Sequence, residues 1–200
     1  MRIWVGLAAS MGLAAVVADV GQAQEHRELG PHVHGRGTLN IALEGSHLSM
    51  EFEAPGADIV GFEHPASTPE QTAAVEKAKK QLAAPQRLFL LPDSAGCALT
   101  DAKVTIESEH HGDEHDHDAD DHDHDHGSAA PDHAGHQHSA FHAEYAFDCK
   151  APARLVTMGF DYFKRYAGAQ RLDVTVITPK GQSSFEVTRD KPRLDLGGII

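Results

Sequence analysis

From Gly37 onward, apolar residues fall on alternate positions: Leu39, Ile41 and Leu43, then Leu48, Met50 and Phe52, with Glu44-Gly45-Ser46 between the two runs. A period of two on both sides of a glycine-containing turn predicts a β-hairpin. Ala54-Pro55-Gly56 breaks the second strand, and Ile59-Val60-Gly61-Phe62 reads as a short apolar connector. The period then changes. Thr68 stands at a helix N-cap, Pro69 at the first helical position and Gln71 where a capping box places it. Val75, Ala78 and Leu82 form a stripe at helical spacing, with Lys77, Lys79 and Lys80 largely outside it, so a helix is predicted to about Ala83, ended by Pro85, as a lid on a sheet. Phe89-Leu90-Leu91 reads as a buried connector or short strand. Val104 and Ile106 mark one further strand, and Phe141, Ala143, Tyr145 and Phe147 mark the next, which ends at Cys149. A second helix is predicted over Gly159 to Tyr166, with Phe160 and Phe163 on its buried side. Val174 and Val176, a turn at Pro179-Lys180-Gly181, and Phe185 and Val187 complete a last hairpin. Six or seven strands and two helices predict an α+β fold with a mainly antiparallel sheet.

The alternation is interrupted from Glu109 to His138, a stretch with no large apolar residue. Such a segment buries too little surface to offset its ordering entropy, so it is expected to be a long disordered loop inserted into a single domain whose halves are 24–108 and 139–200. Composition gives the insert its meaning. Histidine accounts for 16 of 200 residues, and ten of these imidazoles lie in the insert: His110, His111, His115, His117, His122, His124, His126, His133, His136 and His138. Imidazole suits zinc, nickel and copper, and the interleaved aspartates add charge and oxygen donors. In an extended His-Asp-His segment, the two imidazoles point the same way and can hold one ion, while the aspartate can fix a ring tautomer. Metal binding is predicted, with Zn2+ first and Ni2+ or Cu2+ able to compete. The formal net charge of −13 excludes general nucleic-acid binding. The excess acid is concentrated in the insert, where cations would be collected.

The N-terminus sets the compartment. Arg2 precedes an uncharged apolar run to Ala18, and Gly21-Gln22-Ala23 has the small-x-small form of a signal-peptidase site. Residues 1–23 are read as a cleaved signal peptide, with export to the periplasm. No cysteine follows to make a lipoprotein, and nothing later is apolar enough to span a bilayer. In an oxidising compartment Cys97 and Cys149, on either side of the insert, are expected to pair, with Cα atoms about 4.4–6.8 Å apart. The alternative, a pair of thiolate metal ligands, suits a reducing cytosol better.

A second constellation lies outside the insert. His32-Val33-His34 precedes the first strand, and His64 follows Phe62-Glu63 just before the first long helix, with His26 nearby in sequence. Together His32, His34 and His64 would give the three-nitrogen set that zinc favours. The plainer reading has His64 satisfying a loop carbonyl and His32 and His34 in a frayed arm. His47, beside the hairpin turn, is expected to face solvent.

The stretches HVHGRGTLNIALEG and LSMEFEAPGADIVGFEHP, the Thr-capped helix and the closing FDYFKRYAGAQRLDVTVITPKGQ resemble the ZrgA-like family of periplasmic zinc-uptake proteins, in which a His/Asp-rich insert separates two halves. The resemblance implies a zinc-binding accessory protein that assists a zinc ABC importer, with a periplasmic zinc-binding component of that importer as partner and no catalytic residues. Two other functions compete: a nickel or copper sink for detoxification, and a metallohydrolase built on His32, His34 and His64. The last lacks a helical HExxH.

Overall fold

Gly45, at φ +60°, turns the chain between strands β1 (Arg36–Glu44) and β2 (His47–Pro55). Leu39, Ile41 and Leu43 pair in register with Phe52, Met50 and Leu48, so the alternating residues of both strands share one buried face. The computed structural model describes residues 33–109 and 138–200. The expected signal peptide, His26, His32 and the insert histidines from His110 to His136 lie outside these residues.

After β2 come helices α1 (Gly56–Val60) and α2 (Pro69–Leu82), then strands β3 (Phe89–Leu90), β4 (Cys97–Glu109), β5 (His138–Cys149) and β6 (Thr157–Phe160). Helix α3 (Tyr162–Arg165) and strands β7 (Arg171–Thr178), β8 (Gly181–Thr188) and β9 (Arg193–Asp195) complete the order. Six strands form one sheet in the order β4-β5-β2-β1-β7-β8, and β3-β6-β9 form a smaller one. Every pairing is antiparallel except β1 with β7. The buried face of the large sheet is covered by Ala78 and Leu82 of α2, Tyr162 and Phe163 of α3, and Phe89 and Phe160 of the small sheet. Phe52 stands between Phe89 and Tyr162, with ring centroids 5.7 and 5.2 Å away. Each fully buried ring contributes about 2–3 kcal/mol of transfer free energy, so this cluster fixes the two layers together.

The capping box at Thr68 and Gln71 forms as its spacing predicts. Two other segments differ from expectation. A five-residue helix, α1, follows the break at Pro55 and ends at Gly61, whose φ of +86° stops it, so there are three α-helices among the described residues rather than two. The helix expected from Gly159 begins only at Tyr162, because Met158 and Phe160 alternate into the core and Gly159 pairs with both Leu90 and Arg193. Tertiary pairing overrides helical spacing there. The short remaining helix is closed by Arg189, whose guanidinium donates to the carbonyls of Phe163, Tyr166, Ala167 and Ala169.

Cys97 and Cys149 are bonded. They are direct partners across β4 and β5, and their Cα atoms lie 3.8 Å apart, closer than the expected range. Among the described residues, no helix is long and apolar enough to cross a membrane.

Candidate metal-binding site

Strands β4 and β5 form the base from which the insert departs and to which it returns: Glu109 pairs with His138. The disulfide closes the far end of the same hairpin. The site is built around this base.

Side chains at 138, 142, 144, 146 and 148 of β5 alternate toward the polar face of the sheet, where Ala140 is itself buried, while Phe141, Ala143, Tyr145 and Phe147 enter the core. His138, the first residue of β5, meets Glu63, which follows α1. His138 Nδ1 lies 2.6 Å from Glu63 Oε2. His34 approaches the same carboxylate from the segment before β1, with Nε2 2.9 Å from Oε1. Oε1 is buried, and His34 is the group that faces it among the described residues. One carboxylate thus gathers two of the histidines singled out in the sequence, one from the N-terminal motif and one from the edge of the insert. Burial works to raise the Glu63 carboxyl, but its contacts with His138 and His34 outweigh burial and hold it below the ordinary value.

His34 is itself held from behind. Gly35, at φ +81°, donates its N–H to both carboxylate oxygens of Asp58, at 2.8 and 2.9 Å. A side chain at position 35 would disfavour this left-handed backbone. Asp58 is 5% exposed, and burial raises its carboxyl pKa against the lowering effects of the Gly35 N–H and the nearby His34; Glu63 adds to the rise.

His64 is placed differently. Its Nδ1 lies 2.9 Å from the Pro65 carbonyl, its Nε2 faces the Gln71 amide at 3.4 Å, and its ring stacks on Phe62. The structure therefore brings His34 together with His138 around Glu63, and engages His64 with its own loop and helix cap. His47 is exposed and pairs with Asp148 at 2.8 Å. Among the described residues, no three His, Cys, Asp or Glu side chains converge as a ready-made metal centre. A cavity of about 620 Å³ lies along α2, but Lys77, Lys80, Arg87 and Arg165 line it against one acid, Glu76, and that net positive charge repels a divalent cation.

Imidazoles supported by carboxylates are donors for a borderline divalent metal. The sequence model described as ZrgA family zinc uptake protein matches residues 31–196. The chain belongs to the ZrgA family. The match includes the HVHG motif, both sides of the insert, and the segment closed by Arg189. Zinc uptake, the activity in the family's description, therefore stands beside the histidine chemistry. No curated relative matches the chain.

Two residue groups of this ZrgA-family chain escaped the sequence reading. Glu63 sits in the quoted GFEHP motif, but its carboxylate acquires meaning only when α1 turns the chain toward the root of β5. His142 lies in a run that reads simply as a strand. Its position in phase with His138 was the available signal. Glu53 and Glu107, its neighbours, are identified only by strand register.

Proposed function

We propose that this ZrgA-family protein works in the periplasm as a noncatalytic zinc-binding protein, capturing or buffering Zn2+ with the imidazoles of its insert and assisting import by an ABC transporter. The carrying observation is the position of the His/Asp-rich tract: it joins the adjacent strands β4 and β5, at whose base Glu63 pairs with both His138 and His34. Imidazole donors that do not complete a closed four-ligand site release metal more readily than those that do, which suits delivery. The disulfide across the same hairpin supports an oxidising compartment.

The competing reading is a nickel or copper sink. Imidazole affinity alone does not choose against it, since copper exceeds zinc in the Irving–Williams order. Growth separates the two. Cells lacking the protein should grow poorly when zinc is chelated and recover with the wild-type chain, but not with one whose insert histidines are replaced by glutamine. Normal growth under zinc limitation together with sensitivity to excess copper or nickel would favour the sink.

A further inference from the structure

One imidazole on the polar face of the large sheet is held unlike the others. His142 faces Glu53 directly across β2 and Thr105 directly across β4. Its Nδ1 is 3.8 Å from Glu53 Oε2, and its Nε2 is 3.6 Å from Glu107 Oε2. Nε2 is buried and has no hydrogen-bond partner among the described residues. By contrast, His34, His47 and His138 approach their carboxylates at 2.9, 2.8 and 2.6 Å. Those are hydrogen-bond distances; 3.6 Å is not. A buried ring nitrogen left unpaired costs about 1–3 kcal/mol, and native structures rarely leave one so without a reason.

We propose that His142 Nε2 and Glu107 Oε2 are the two protein ligands of an ordered zinc site, with Glu53 as the positioning carboxylate behind Nδ1. The inference rests on the zinc-binding reading above and adds to it a site on the folded body. Zinc holds imidazole nitrogen and carboxylate oxygen at about 2.0–2.2 Å, which places two tetrahedral ligands roughly 3.4 Å apart. The observed 3.6 Å is close to that spacing, and too long for a shared proton. Strand register explains the arrangement. Glu107 stands opposite Ala140, one step along the same face from His142, and the small side chain at 140 lets the carboxylate lean diagonally toward the ring. Glu53 stands 3.8 Å from Nδ1, beyond a hydrogen bond, and closes by about 1 Å on metal binding to take the recurrent role of the carboxylate that sets tautomer and ring orientation. Water completes the coordination. With only two protein donors the ion exchanges readily, as a transfer point at the base of a capturing insert requires.

The test uses the full chain and Zn2+ alone. Histidine-selective 15N NMR follows the His142 ring, assigned from its disappearance in His142→Gln, and calorimetry counts the ions bound. The expected result is a zinc-dependent shift of the His142 Nε2 resonance, with His142→Gln losing one bound equivalent. Glu107→Gln should weaken that same equivalent. Glu53→Gln should weaken it about ten- to a hundredfold without removing it, and His47→Gln should change nothing. If His142→Gln does not fold, the ring is assigned instead by its through-space contacts with Thr105 across β4, and the wild-type resonance decides: a shift supports the site and an unmoved signal overturns it. A wild-type chain that binds no zinc at all removes the zinc-binding reading as well. A chain that binds zinc with the His142 resonance unmoved and the His142→Gln stoichiometry unchanged removes the ordered site alone.

Discussion

His138 Nδ1 donates to Glu63 Oε2 across 2.6 Å, joining the residue that opens β5 to the segment after α1. His34 meets the other oxygen of that carboxylate. Glu63 therefore ties three separate stretches of chain together at the point where the insert rejoins the body. Glu63→Ala should cost about 1–2 kcal/mol in denaturant unfolding, at the low end for charge-assisted bonds because both imidazoles reach solvent. An unchanged unfolding midpoint would mean that the carboxylate holds nothing in place.

Asp58 provides a pH signature. Its folded pKa is raised above the ordinary carboxylate value of 3.8, chiefly by burial. A carboxyl raised on folding favours the folded state while it is protonated, and that contribution is lost as pH rises through the folded pKa. Asp58→Asn keeps an acceptor for the Gly35 N–H and removes the titration. Its stability relative to wild type should therefore increase from pH 4 to pH 7, measured by urea unfolding at each pH. A gap that stays constant or moves the other way contradicts the assignment.

The disulfide joins residues 52 apart in sequence. Replacing Cys97 and Cys149 together by serine should cost about 2–4 kcal/mol, mostly by freeing the unfolded chain. Reduction of the wild type should lower the thermal midpoint correspondingly. A midpoint insensitive to reductant would show that the β4–β5 ladder alone suffices.

Much of this architecture is legible in the sequence because it depends on local periodicity and punctuation. The β1–β2 hairpin, the capped helix at Thr68 and the last hairpin each carry their signal within a few residues. The parallel pairing of β1 with β7 does not, since it joins segments far apart in the chain. The candidate site divides the same way. Composition exposes the insert histidines. The Glu63 bridge and the His142 trio depend on which residues face each other across strands, so residue type alone does not single out Glu63, Glu53 or Glu107. His142 is obscured for a further reason: as one polar residue in an alternating strand, it has the pattern of any solvent-facing position.

Zinc held by imidazoles must compete with protons, because free histidine titrates near pH 6.5 while carboxylates remain ionised to about pH 4. The flanking aspartates favour the protonated ring and strengthen that competition. Insert-bound zinc should be released between about pH 7 and 5.5, and zinc addition at pH 6.5 should liberate protons. Retention at pH 5 would identify carboxylates as the main ligands.

The most direct measurement is a calorimetric zinc titration at pH 7.5 of the full chain beside a variant with the insert histidines from His110 to His136 replaced by glutamine and His138 and every aspartate retained. Most of the bound zinc should disappear in the variant, leaving only the ions held by the folded body. Equal stoichiometry and affinity in the two proteins would contradict the claim that the insert imidazoles capture the metal.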